Sequence, residues 1–303
     1  MNIVVQPNAT LSWEQFQATP AKSIALDGLV KGGPRRNANH LNFNHHEDVD
    51  RISTRCTASQ VLVAIKGGLQ AWLGEGEPTA YVNDCDHDVC LSTWLLKNRN
   101  FFEDTRSEPL ISRLCWAVDM LDTFAGAYPL NPNDELYEQL CWVFADYTTA
   151  RQNGTLNSLD AQGMLTIIES VHGRIDRYRI GKAERRKADT GYQVLGRNKE
   201  CALVIEKGID ARTAMRRDNI NGFLSLREHN GKRILSVGKL QPMSPFPVLE
   251  ILEAFNRAEG IAVGDIDRYG GSDSIGGSPR HRGCKLDNEQ LLSIVAVTCQ
   301  TLT

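Results

Sequence analysis

Residues 79–98 read TAYVNDCDHDVCLSTWLLKN, a short apolar stretch that runs into an acidic loop and then directly into a helical pattern. Units of this kind, strand then polar loop then helix, build an α/β layer around a parallel sheet. The same texture extends upstream. NIVVQ (2–6) and KSIALDGL (22–29) have the apolar, β-branched character of strands, and the second ends at Asp27-Gly28. After the loop VKGGPRRNANH (30–40), the short stretch LNF (41–43) leads into Asn44-His45-His46. Helical periodicity then starts near Thr57 and runs through QVLVAIKGGLQAWL (60–73), with Ser and Thr available to cap it.

Downstream, from about Ser107 to about Ala188, the pattern is helical throughout: ISRLCWAVDMLDTFAG, DELYEQLCWVFADYTTA and LDAQGMLTIIESVHGRIDRYRIGKAERRKA. The charged end of the last segment reads as an exposed helix or a connector. After about Gly191 the texture is mixed again, with strands CALVIEK, GFLSLRE and KRILSVGK and helices PFPVLEILEAFNRAEG and DNEQLLSIVAVTCQ. The expectation is an α/β protein: a parallel-sheet N-terminal domain with a helical middle (1–185), then a smaller mixed α/β domain (186–303).

Composition narrows the class. The chain has 303 residues, 34 Lys+Arg against 37 Asp+Glu and a net charge of −3, with 41% hydrophobic and 23% charged residues. That is globular, neither disordered nor membrane-embedded. No apolar run reaches the roughly 18 residues of a spanning helix, and the start MNIVVQPNATLSWEQF has no secretory pattern. The charge argues against an extended nucleic-acid surface but leaves room for a phosphate pocket. The eight cysteines form no CxxC and have irregular spacing, which reads as free thiols in the cytoplasm.

Four acidic or imidazole clusters lie at or near the ends of apolar stretches: Asp27; His45, His46 and Asp48; Asp84, Asp86 and Asp88; and Asp119 with Asp122. Strand ends are where α/β sheets gather their sites, and carboxylates collected with a histidine call for cations. Each cluster also has a plain reading. Asp27-Gly28 is a common turn dipeptide, His45-His46 could be surface histidines, and Asp119 and Asp122 could face solvent. DCDHD is no EF-hand loop, because Val89 and Leu95 stand where glycine and glutamate are required. All four together favour a site.

NFNHHEDVDRISTRCTASQVL (42–62) resembles the signature of the DHH-type phosphoesterases, YVNDCDHDVCLSTWLL (81–96) their D-x-D motif, and MLDTFAG (120–126) their later Asp-Thr motif. YGGSDSIGGSPRHRGCKL (269–286) resembles the glycine-rich substrate segment of the accompanying domain. The chain differs at three points. Asn44 stands in place of the leading aspartate, Val82 in place of the histidine before D-x-D, and the D-x-D motif follows the two-histidine motif instead of preceding it. Asp84, His87 or His40 could replace the absent histidine.

The resemblance implies hydrolysis of a phosphoester or phosphoanhydride at two divalent cations, Mn²⁺ first and Mg²⁺ second. Asp27 would bridge, with His45, Asp84, Asp86, Asp88 and Asp122 as further ligands and Asp119 second to Asp122. Residues i and i+2 of an extended stretch share a face, so Asp86 and Asp88 would each reach one ion. His46 would point elsewhere, to phosphate or as an acid. Gly270, Gly271, Gly276, Gly277, Ser278 and Arg280 would bind substrate, the glycines leaving N–H groups to cradle an anion. The expected partner is a small phosphorylated substrate, with no membrane; self-association is left open. Two other readings compete: a nucleotide-binding protein without turnover, and a single-strand exonuclease, which lacks a visible aromatic-plus-basic track.

Overall fold

The computed structural model describes residues 1–229, 231–265 and 267–301. The chain divides into two compact units, Met1–Thr123 with Asn131–Lys187, and Phe124–Leu130 with Ala188–Thr303. The expected division at 185/186 had no place for the excursion at Phe124–Leu130. Its cause is local: Ala127 is fully buried in a core cluster with Ala202, Val204 and Phe223. In addition, Arg212 donates to the Ala125 carbonyl at 2.8 Å.

In the first unit the strands are β1 (Asn2–Val5), β2 (Ser23–Leu26), β3 (Arg35–Arg36), β4 (His40–Phe43) and β5 (Thr79–Val82). The sheet order is β1-β5-β2-β4-β3, and every neighbouring pair is parallel except β3 with β4. All four residues of β2 are buried, as expected of a parallel strand covered on both faces. Strands β5, β2 and β4 are adjacent and parallel, so the segments after Val82, Leu26 and Phe43 leave the sheet at one edge.

The helices of this unit are α1 (Trp13–Gln17), α2 (Thr57–Lys66), α3 (Leu69–Leu73), α4 (His87–Lys97), α5 (Pro109–Thr123), α6 (Glu135–Val143), α7 (Ala145–Gln152) and α8 (Ala161–Arg179). The single helix expected after Thr57 breaks at Gly67-Gly68, where Gly68 has φ of +93°. α4 is buried over most of its surface and bonds to α8 through polar groups. Trp94 Nε1 donates to Asp176 at 2.9 Å, and Thr93 Oγ1 lies 3.0 Å from His172 Nε2. The charged stretch after α8 is not helical; its Arg186 N–H donates to the Glu138 carbonyl of α6 at 3.0 Å. No helix among the described residues is long and apolar enough to cross a membrane. All eight cysteines are free and buried.

The second unit contains β6 (Tyr192–Arg197), β7 (Cys201–Glu206), α9 (Ala211–Arg217), β8 (Gly222–His229), β9 (Lys232–Lys239), α10 (Val248–Ala258), β10 (Gly270–Gly271), β11 (Ile275–Gly277) and α11 (Asn288–Gln300). Its sheet order is β10-β11-β9-β8-β7-β6, with only β7 and β8 parallel. Alternate residues of β7 face opposite ways. Cys201 and Leu203 join the core formed with α10 and α11, while Ala202 and Val204 join the cluster with α9. The fold is thus α/β, with a mainly parallel sheet and a second mixed sheet.

Candidate metal centre

The three strand ends at the shared edge bring the candidate residues together. After β2 the chain turns at once: Asp27 has φ of +52° and Gly28 of +82°. Gly28 is needed there twice over, because a Cβ would also lie 3.1 Å from His46 Cδ2. The Asp-Gly pair is therefore both a turn and the mount of a buried carboxylate, since Asp27 is 6% exposed.

After β4, Asn44 is fully buried and braces the loop. Its Nδ2 donates to the carbonyls of Val30 (3.2 Å) and Gly32 (2.8 Å), and its Oδ1 accepts from the His46 N–H at 3.1 Å. A side-chain amide offers two N–H donors and a carbonyl acceptor at once. A carboxylate in this position would leave two buried carbonyls unserved, which accounts for Asn44 where the resemblance calls for aspartate.

His45, fully buried, is the hub. Its Nε2 lies 2.7 Å from Asp122 Oδ2 and 3.6 Å from both Asp27 Oδ1 and Asp88 Oδ2. None of these approaches is aligned as a hydrogen bond, and Nδ1 has no partner either. Metal-free, a protonated imidazole pairs with Asp122; deprotonated, the same nitrogen would offer its lone pair among three carboxylates, an arrangement that suits a shared cation. Two triads have ligand atoms within 4.8 Å of one another: Asp27, His45 and His46; and His45, Asp88 and Asp122. The residues present fit a divalent ion.

His46 does not point elsewhere as expected. Its Nε2 lies 2.9 Å from Asp27 Oδ1, and the two imidazole centroids are 4.5 Å apart. Between Asp119 and Asp122 the geometry selects Asp122. Asp119 is buried and committed, accepting the Cys56 N–H at 2.7 Å and pairing with Arg55 at 3.2 Å.

The expected extended arrangement of Asp86 and Asp88 is corrected by the start of α4. Asp86 is its N-cap, accepting the Val89 N–H at 2.9 Å, and Asp88 lies in the first turn. Helical geometry, not strand alternation, therefore sets their directions. Asp84 accepts the next residue's N–H at 2.6 Å, and neither Asp84 nor Asp86 joins a triad. His40 is bonded to the Thr19 carbonyl at 3.1 Å, and His87 packs against Phe144 and Tyr147.

One feature was invisible in the motifs. Cys56, the N-cap of α2, makes no side-chain cap, so carboxylates from elsewhere serve the helix's first amides. Asp88 accepts from the N–H groups of Thr57 (2.7 Å) and Ala58 (2.8 Å), while Asp119 takes that of Cys56. Thr57 Oγ1 in turn donates to Asp27 at 2.9 Å. The positive end of α2 thus faces the acidic cluster and partly neutralises it.

The remaining charge conflict shows in the proton affinities. Burial lifts Asp88, helped by the charges of Asp27 and Asp122, to about 7. Burial and the surrounding carboxylates push Asp86 and Asp84 up as well. Burial works against charge on Asp27 too, but His46 and His45 outweigh it and hold that carboxyl well below its usual range. For His45 burial is likewise overcome by the closeness of Asp122 and Asp27, giving about 10. Without a cation the cluster must hold protons.

The glycine-rich segment forms the β10–β11 hairpin. A Cβ on Gly271 would lie 2.3 Å from Gly276 Cα, and one on Gly276 2.4 Å from Leu252 Cδ1. Here glycine is required by strand packing. The amides expected to cradle an anion are largely committed: Gly270 pairs with Gly277, and Ile275–Gly277 pairs with β9. The Ser278 N–H donates to the Leu235 carbonyl at 2.8 Å, and Ser278 Oγ accepts the Leu235 N–H at 3.1 Å. Arg280 is exposed and forms no ion pair among the described residues, whereas Arg282 is paired with Asp265 and Asp267. No model of a protein family matches the chain, and no curated protein matches it.

Proposed function

We propose that the chain is a divalent-metal-dependent phosphoesterase of the DHH type. It would hydrolyse a phosphoester or phosphoanhydride of a small nucleotide, a short oligonucleotide or a related phosphorylated metabolite. The observation that supports this is the meeting of His45 with Asp27, Asp88 and Asp122, drawn from three strand ends and α5. Capping α2 requires only Asp88 and Asp119; it gives no reason for His45 and Asp122 to face each other.

A bound cation, Mn²⁺ first and Mg²⁺ second, supplies a Lewis acid for the phosphoryl oxygens and an acidified water. The chain's own residues divide the remaining work. His45 has one lone pair on Nε2 and would serve a single ion, whereas Asp27, as a carboxylate with two oxygens, would be the candidate to hold two. Asp84 and Asp86 would be reserve ligands for a second ion. His46, with its side chain 38% exposed, gives its Nε2 proton to the hydrogen bond with Asp27 and can pass it to a leaving oxygen. The glycine hairpin, whose amides are largely committed to strand pairing, has no part in this reading. The buried thiols fit a reducing cytoplasm.

The test is release of phosphate or nucleoside monophosphate from pyrophosphate, ADP and short oligonucleotides. Turnover should require Mn²⁺ or Mg²⁺, disappear in Asp27→Asn and His45→Ala, and fall about 10²–10⁴-fold in His46→Ala. Variants as active as the parent would end the proposal. The service of Asp88 to α2 favours one other reading, a nucleotide-binding protein in which the acids are structural. Tight nucleotide binding with no turnover under either metal would select it.

A further inference from the structure

In the second unit, α10 and α11 pack on the sheet through Ile251, Leu252, Phe255, Leu291 and Val295, which are buried in one core with Leu203, Leu224 and Leu235. The other sides of the same two helices line a groove of about 790 Å³. Its apolar lining comes from both: Leu249 and Ala254 of α10, Ile294 and Val297 of α11. Leu249 is 45% and Val297 58% exposed, whereas the remaining large apolar side chains of these helices are covered wholly or in part. Two large apolar groups left in water along one groove mark an interaction surface.

The charges along the groove decide what fits it. Glu250, Glu253 and Arg257 follow one another at spacings of three and four, and so lie on one side of α10. Glu253 is already paired with Arg268. Glu250 and Arg257 are exposed and form no ion pair among the described residues. They stand seven residues apart, about 10 Å along the axis, too far to pair with each other within one helix. The α11 side adds no charge, only Ser293, Thr298 and Thr301 beside its apolar pair. One end of the α10 ridge is therefore acidic and the other basic.

We infer that this groove is the interface of a homodimer, with α10 antiparallel to α10 of a second copy. A two-fold axis near Glu253 and Ala254 makes the ridge its own complement: Glu250 of each copy meets Arg257 of the other. Ala254 beside the axis is small enough to let the helices approach. The two Glu253 carboxylates that come near each other there keep their own Arg268 partners. Leu249 and Val297 leave water in the same step. An apolar small molecule would cover those two side chains but would give neither Glu250 nor Arg257 a partner. The dimer is independent of the phosphoesterase reading, since no residue of the first unit takes part.

The experiment is sedimentation equilibrium of the full chain at low and high salt, parent beside charge variants. The parent should form a species of twice the chain's mass with Kd below about 100 µM. Glu250→Arg and Arg257→Glu should each weaken it about tenfold or more, because like charges then stand opposite each other. The double variant Glu250→Arg/Arg257→Glu should return to within about threefold of the parent, since the exchanged charges meet again only across the interface. Val297→Asp should weaken association at low and high salt alike, whereas the effect of the single reversals should shrink at high salt. All three positions are exposed, so thermal melts matching the parent's at high dilution confirm that the variants are folded. A parent that stays monomeric leaves the groove to a different molecule and overturns the proposal. A dimer indifferent to the single reversals, or one that the double variant fails to restore, overturns it equally.

Discussion

Replacing Asn44 by aspartate is nearly isosteric and restores the residue that the DHH resemblance calls for, so its cost isolates the two donors of the amide. Asn44 Nδ2 serves the buried carbonyls of Val30 and Gly32 at 3.2 and 2.8 Å. Each acceptor left unserved costs about 1–3 kcal/mol, so Asn44→Asp should lose about 2–6 kcal/mol at neutral pH. At about 2–4 °C per kcal/mol for a unit of this size, the melting temperature should fall by roughly 5–20 °C. The new carboxyl, buried against two carbonyls, would have its pKa raised in the folded state. Its destabilisation is then least at low pH, where a protonated acid can serve one carbonyl. The penalty grows as pH rises above the unfolded value of about 3.9. The assay is thermal denaturation followed by circular dichroism at pH 5 and pH 8, parent beside variant. If Asn44→Asp melts with the parent at pH 8, the brace has no energetic weight and the explanation of Asn44 is wrong.

Other outcomes follow from the same cluster. Asp88→Ala leaves the amides of Thr57 and Ala58 without acceptors and should destabilise the metal-free chain by about 2–4 kcal/mol, whereas Asp122→Ala should abolish metal response and lower melting at neutral pH by removing the carboxylate 2.7 Å from buried His45. Chemical denaturation with and without Mn²⁺ separates the two roles. The raised pKa of Asp88, about 7, makes the metal-free fold lose stability as pH rises from about 4 toward 7; that of His45, about 10, continues the loss from 6.5 toward 10. Buried His87 and His172, held down to about 4, oppose this below pH 6.5, so melting temperature should fall between pH 7 and pH 9 in EDTA and fall less in Mn²⁺; a flat EDTA profile over that range would contradict the crowded-cluster picture.

What local pattern could reveal, it revealed. The strands Ser23–Leu26 and Thr79–Val82 stand out because residues buried on both faces form an apolar run, whereas Asn2–Val5, at the sheet edge, is only partly buried. Asp27, His45 and His46 stand out because they interrupt such runs. Arg35–Arg36 does not: a two-residue edge strand has no period to detect. For Asp88 the strand alternation was the wrong geometry, since the onset of α4 at His87 turns a strand-like spacing into a helical one.

The sequence by itself determined the chemistry on offer: apolar strands, the acids and imidazoles at their ends, and glycines where the chain must turn or pack closely. Local periodicity and residue type carry that information. Only the tertiary structure decided which of those side chains meet. The cap of α2 is supplied by Asp88 and Asp119, 31 and 63 residues away from the amides they serve. His45 faces an aspartate from α5. Pairings across such separations depend on how strands order in a sheet and helices pack on it, and no local pattern encodes them.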